Sequence, residues 1–218
     1  MTSRRPGSLG DRLRRADQAA FAAIVARRRP ALVAAARVVS GLAEPGVVYP
    51  ALVAAGLLAA RGRGPARAVW PQAVGPALVV AAGAQARREL SRIIARPRPP
   101  ASEWLTEPEG FSLPSRHTTL AALAAGAIAS ALGARGPTSR AAPLLAAAGV
   151  GASRVCLGVH WPGDVLAGWI FAEGWLRFTS RPSRRWPRGA GRRARCGART
   201  PPRGAATSTA PSGCSPRT

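Results

Sequence analysis

Apolar positions along the chain fall into blocks separated by arginine-, glycine- and proline-rich breaks. Leu13, Ala16, Ala20 and Ile24 recur at helical spacing, which predicts a weakly amphipathic helix from about Leu9 to Ala26 lying on a membrane surface. Pro30 opens a second predicted helix, Ala31–Leu42, which is short and contains Arg37, and so reads as interfacial or half-inserted. Five apolar segments follow: Gly46–Ala60, Val69–Ala86, Thr118–Leu132, Ala141–Leu157 and Val165–Phe178. The first is short beside the ~20 residues a bilayer core requires, and extends toward Leu42. Basic turns at Arg61–Arg67 and Gly133–Arg140 separate the segments, and residues 87–116 form the longest connection. A connection of that length inside a domain is usually functional. The predicted class is all-α: a multi-pass transmembrane helical bundle of about five spans, or six if Ala31–Leu42 helps form a crossing, with interfacial helices at the N-terminus. Residues 1–30 are a basic N-terminal segment and residues 31–179 the membrane domain. Residues 180–218, rich in Arg, Pro, Gly, Ser and Thr, are a tail expected to be disordered.

Charge sharpens this picture. The chain of 218 residues carries a net charge of +23, and all 32 basic residues are arginine. Together with 24 Gly, 21 Pro and abundant Ala, this points to a GC-rich bacterial genome. Such a charge suits nucleic acid or an anionic membrane surface. The arginines stand at the ends of apolar runs and in the tails, the pattern of charged flanks around membrane segments, so no nucleic-acid partner is expected. Cys156, Cys196 and Cys214 are odd in number and have no metal-ligand spacing, which supports neither a disulfide framework nor a zinc site. Residues 1–30 are charged throughout, without the apolar core of a signal peptide.

The chemistry concentrates in Ser153–Asp164, between the last two apolar segments. Arg154 can grip a phosphate with a planar fork of donors. His160 can attack phosphorus as a neutral imidazole. Asp164, four residues on, can accept the proton of the other ring nitrogen and fix the tautomer. Pro162 suits the first turn of a helix, whose N-terminus favours anions. The same residues would also serve as a helix cap with an ion pair. Two features favour chemistry: the chain has only two histidines, His117 and His160, and ionisable groups in apolar surroundings are functional by default. Two further stretches, Ser91–Pro99 and Pro114–His117, also lie at segment ends, and five spans put all three on one membrane face.

These stretches resemble the signature of the type 2 phosphatidic acid phosphatase family, related to the vanadium haloperoxidases. That signature reads Lys-x6-Arg-Pro, Pro-Ser-Gly-His and Ser-Arg-x5-His-x3-Asp. Its third part is complete in Ser153, Arg154, His160 and Asp164. The second reads Pro114-Ser115-Arg116-His117, with arginine for glycine; the first ends on Arg98-Pro99, with Ser91 in place of lysine. The resemblance covers about Ala31–Phe178. It implies that His160 is the nucleophile, forming a phosphohistidine, that Asp164 orients it, and that His117 is the general acid. Arg98, Arg154, Ser115 and Ser153 would hold phosphoryl oxygens. No metal or other cofactor is implied, because arginines supply the positive charge. Arg116, Arg88 or Arg92 would compensate for Ser91, with Arg116 favoured. Arg96 would only cap the loop, and Cys156 would be a buried filler.

The implied activity is hydrolysis of a lipid phosphomonoester or diphosphate. Substrates in view are a polyprenyl diphosphate, phosphatidic acid, phosphatidylglycerol phosphate or a polyprenyl-phosphate sugar phosphate. A non-catalytic lipid-phosphate-binding or scaffold protein of the same fold is the alternative, supported by Ser91. Haloperoxidase chemistry with bound vanadate is disfavoured by the transmembrane pattern. Arginines divide evenly between the two faces unless Ala31–Leu42 helps form a sixth crossing. A sixth crossing would put the site on the extracytoplasmic face and the basic C-terminal tail in the cytoplasm.

Overall fold

The computed structural model describes residues 8–61, 66–134 and 136–180. Among these the chain forms seven α-helices and no strand: α1 Leu9–Val25, α2 Pro30–Gly41, α3 Pro45–Ala60, α4 Ala66–Ile94, α5 Arg116–Ala131, α6 Pro137–Cys156 and α7 Pro162–Thr179. A single 3-10 turn, Ala101–Glu103, interrupts the connection between α4 and α5. The expected disorder of residues 181–218 lies outside the described residues.

Proline sets four of the helix starts. Pro30, Pro45, Pro137 and Pro162 stand in the first turn of α2, α3, α6 and α7, where a missing N–H has no partner to lose and φ is already helical. Helix α1 starts instead on a capping box, in which Ser8 Oγ accepts from Asp11 N–H and the Asp11 carboxylate accepts from Ser8 N–H.

Helix α4 outruns its apolar segment: beyond Ala86 it continues through Arg87, Arg88 and Glu89 to Ile94. Loss of hydropathy does not end a helix whose residues are good helix formers. Gln85 donates to Glu89 at 2.6 Å and Arg92 to Glu89 at 2.9 Å, pairs at helical spacing that support this turn. The stop comes where Ala95 takes a positive φ of 50° ahead of Pro97 and Pro99. Arg87 and Ser91 are therefore helical residues turned into the bundle, both buried.

Helix α5 runs through the middle, touching α3, α4, α6 and α7. Leu52 of α3, Val80 of α4, Leu123 of α5 and Ala172 of α7 are fully buried around it. Helix α2 packs on α6, and a second small cluster forms from Ala36, Cys156, Leu157 and Val159 with Ile24 of α1. Large apolar side chains also coat the outside: Leu57, Leu58, Leu78, Leu145, Leu166 and Ile170 are all exposed. In water this coat would be an adhesive surface; in a bilayer it is the surface lipid tails cover.

Among the described residues no single helix is both long and apolar enough to cross a membrane by itself, whereas α2 and α3, bent by 51° at their junction, pass that test together. The shortfall is one of length and charge: α3 and α5 have 16 residues each, and α7 carries Asp164, Glu173 and Arg177.

Candidate active site

The three sequence stretches meet at one end of the bundle. Arg154 is on the last turn of α6, His160 in the turn that follows, and Asp164 in the first turn of α7. His117 is on the first turn of α5, and Arg98 on the segment after α4. Gly158 makes the α6–α7 turn possible. Its φ is +80°, and a Cβ there would collide with the Glu103 carbonyl oxygen.

His160 is 1 % exposed. Arg98 Nη1 lies 3.1 Å from His160 Nε2 and also donates to the Val159 carbonyl at 2.6 Å. A guanidinium N–H can only donate, so Nε2 is the ring's acceptor and its proton sits on Nδ1. Nδ1 faces Asp164 Oδ2 at 3.4 Å. Burial, together with Arg98 and Arg154, outweighs the pull of Asp164 and pushes the His160 pKa down to about 4. The imidazole is therefore neutral at physiological pH, with its free lone pair toward Arg98 and the cavity. Asp164 is fully buried and holds three more donors: Arg96 Nη1 at 2.7 Å, the Trp161 N–H at 2.9 Å, and the Ser112 hydroxyl.

His117 is supported differently. Its Nε2 lies 2.8 Å from Glu44 Oε1, and Glu44 is the residue just before α3. Burial, with Arg154 and Arg116, pushes the His117 pKa to about 4 against the opposing pull of Glu44. The hydrogen bond from His117 in turn holds the Glu44 carboxyl below its ordinary range.

The two imidazoles share a cavity of about 170 Å³ lined by Arg98, Arg154, Arg116, Glu44, Thr106, Glu107 and Glu109. Arg154 is buried; its Nη1 donates to Ser40 Oγ at 2.9 Å, while its Nε has no partner. Arg116 pairs with Glu109 at 2.9 Å and stands 4.0 Å from Glu44. A buried cation without its full set of partners is costly, so the cavity is built for an anion.

Two of the expected phosphate ligands stand back from this cavity. Ser115 is fully buried as the residue before α5; its hydroxyl accepts from Thr118 at 3.0 Å, and its N–H donates to the Asp164 carbonyl at 3.1 Å. Ser153 donates to the Val150 carbonyl at 2.6 Å, so its hydroxyl faces its own helix. Of the three arginines considered as substitutes at position 91, only Arg116 lines the small cavity. Arg88 and Arg92, with Arg87, Ser91 and again Arg116, line an adjoining cavity of about 520 Å³. The two cavities share Glu109 and Arg116, whose ion pair stands between them.

Glu44, Ser112, Ser40 and Asp17 join the site although the sequence reading did not select them. Glu44 carried a usable signal: it is the only acid between Asp17 and Glu89, and it directly precedes a helix-opening proline. Arg96, expected only to cap a loop, instead bridges two carboxylates, Asp164 and Asp17.

Neutral imidazole facing guanidinium groups across an anion-sized cavity is an arrangement for phosphoryl groups, and the match to a known family points the same way. Residues 73–187 match the model of the PAP2 superfamily, and the chain belongs to that superfamily. It is 32% identical over 147 residues to the decaprenylphosphoryl-5-phosphoribose phosphatase of Mycolicibacterium smegmatis, covering 64% of this chain and 73% of that protein. The fold is similar to that of a transmembrane PAP2-type phosphatidylglycerolphosphate phosphatase from Bacillus subtilis. The TM-score is 0.65 at 26% identity, over 80% of this chain and 89% of that one. The family resemblance drawn from the three stretches is thereby established, and the all-helical fold is similar to that of a transmembrane relative.

Proposed function

We propose that the protein releases a terminal phosphate from a membrane lipid by way of a phosphohistidine on His160. The observation that carries this reading is the small cavity, where the acceptor nitrogen of a buried imidazole faces the same space as three arginines and a second imidazole. A phosphoryl oxygen would give Arg154 Nε the partner it lacks.

In the first step His160 Nε2 attacks phosphorus. The N–P bond forms as the bond to the lipid oxygen breaks, and His117 delivers a proton to the departing oxygen. Asp164 stabilises the positive charge that spreads to Nδ1–H. Arg98, Arg154 and Arg116 hold the equatorial oxygens as charge develops on them, so no metal enters the reading. In the second step His117 takes a proton from water, the hydroxide oxygen attacks phosphorus, and the N–P bond breaks. Inorganic phosphate leaves and His160 is restored. A bound phosphate's negative charge beside His117 raises its proton affinity, so the acid is charged by the substrate it serves.

The adjoining 520 Å³ cavity supports a substrate larger than a simple phosphomonoester. Its arginines, Arg87, Arg88 and Arg92, can take a second anionic group, and Pro45, Tyr49 and Leu120 offer an apolar wall beside them. A lipid with a distal phosphomonoester and a second phosphate nearer the chain fits both cavities, as in the substrates named for the two relatives.

The test is phosphate release by detergent-purified full-length protein from phosphatidic acid, phosphatidylglycerol phosphate, a polyprenyl diphosphate and a polyprenyl-phosphate sugar phosphate, with EDTA present and with His160→Ala alongside. Release that survives EDTA, is blocked by vanadate and vanishes in the variant is expected. Folded protein that releases nothing from any of these lipids would overturn the reading in favour of a lipid-phosphate-binding protein, with Ser91 as the mark of lost catalysis.

A further inference from the structure

Asp164 touches His160 with one oxygen; its other oxygen leads away from the cavity. Asp164 Oδ1 accepts from Arg96 Nη1 at 2.7 Å, and Arg96 Nη2 donates to Asp17 Oδ2 at 2.6 Å. The second oxygen of Asp17 accepts from the Gly163 N–H at 2.7 Å. Gly163 is the second residue of α7, so this N–H is one of the donors a helix start leaves without an intrahelical partner. Helix α7 has no capping side chain from Trp161, and Asp17 supplies the missing acceptor from another helix. Glycine at 163 keeps the approach open, since a Cβ there would stand 3.0 Å from Asp17 Oδ2.

This chain of groups is not a surface ion pair. Asp17 is 11% exposed, Arg96 24% and Asp164 0% at the side chain. One planar fork is held between two carboxylates, with Arg96 also over the Trp161 ring at 5.8 Å. Helix α1 has other anchors of its own. Phe21 packs on Trp161 with ring centroids 5.1 Å apart, and just past the end of the helix Arg28 donates to Glu103 at 3.0 Å and to the Cys156 carbonyl at 2.8 Å. Loss of the Asp17 carboxylate therefore does not by itself detach α1.

We infer that Asp17 is a positioning residue for the nucleophile, acting on His160 through Arg96 and Asp164. The inference rests on the phosphohistidine reading of the same site. Without the Asp17 charge, half of the Arg96 fork loses its partner and the guanidinium turns more fully onto Asp164. Asp164 then holds the Nδ1–H of His160 less firmly, and the start of α7 loses a fixed point. Arg98, Arg154 and Arg116 do not touch Asp17, so substrate binding is left in place.

The experiment compares Asp17→Asn and Asp17→Glu in the full-length chain, with Arg96→Lys as a second variant that keeps charge but cannot bridge two carboxylates. For Asp17→Asn, kcat falls on the order of tenfold with KM within about twofold, and Asp17→Glu recovers most of the loss. Combining Asp17→Asn with Arg96→Lys costs little beyond Arg96→Lys alone, because both act along one path. The chain has two histidines, so ¹⁵N-histidine NMR of the same proteins reads each ring separately. The His160 Nδ1 signal shifts in Asp17→Asn and the His117 signals do not. Unchanged kcat and unchanged His160 signals, with only a lower melting temperature, would reduce Asp17 to an anchor of α1 and overturn the inference. If wild type and His160→Ala alike release no phosphate, the phosphatase reading fails instead, and the NMR comparison still decides whether Asp17 orders His160.

Discussion

His160 and His117 face one cavity but are supported in opposite ways. His160 is enclosed by Arg98, Asp164 and the α6–α7 turn, and its partners are themselves held by Ser112, Arg96 and the Trp161 N–H. His117 rests on a single carboxylate, Glu44, whose side chain is half exposed. The difference suits the roles proposed for the two rings. A nucleophile must keep one nitrogen unprotonated and aimed, which calls for a fixed tautomer and a fixed plane. A general acid must gain and lose a proton every turnover, which calls for a partner in reach of water.

The largest effects should separate the two rings. His160→Ala removes the atom proposed to bond to phosphorus, and turnover should fall on the order of 10⁴-fold or more for every substrate. His117→Ala removes only proton delivery, worth ~10²–10⁴-fold where the leaving group is an alkoxide. An aryl phosphate whose leaving group needs no proton should recover most of that loss, to within roughly tenfold of wild type. Steady-state rates with alkyl and aryl phosphates on both variants check this. Equal losses for His117→Ala on the two substrates would break the comparison.

The His160 side of the site was the more legible one. Arg154, His160 and Asp164 lie within one turn and its flanking helix ends, so local spacing carries their meeting, whereas Ser153 shares that spacing but faces its own helix. His117 was legible because a proline-serine pair and the start of an apolar segment bracket it. What the sequence hid is what only tertiary packing brings together. Glu44 reaches His117 across 73 positions, and Asp17 reaches Gly163 across 146. Helix α4 outruns its apolar segment to Ile94 because Gln85, Glu89 and Arg92 are spaced to continue it past the end of hydropathy. That extension places Arg87 and Ser91 on a helix, and so determines which arginines reach which cavity.

A smaller effect should come from Glu44. Its carboxylate favours the protonated form of His117, against burial and the nearby arginines. Glu44→Gln removes that support, so the His117 pKa falls further and the alkaline limb of the kcat profile moves to lower pH. The expected loss near pH 7 is a few-fold, about 1 kcal/mol in barrier height. The acid limb, which follows protonation of His160, should stay in place. A shift of both limbs would mean that the two rings titrate as one unit.

The smallest effect concerns stability rather than rate. Both histidines have folded pKa values near 4, against an ordinary value of 6.5. Between those values the unfolded chain binds more protons than the folded one, so stability rises with pH there. The contribution is complete above about pH 6.5 and is lost as pH falls toward about 4, where both buried rings must charge beside arginines. Melting temperatures in detergent should fall over this window, and His160→Asn and His117→Asn should flatten the slope by comparable amounts, because the two rings are shifted alike. A slope left unchanged by either substitution would mean that the fold does not resist protonation of that ring, and would break the symmetry of burial on which the contrast in their support is drawn.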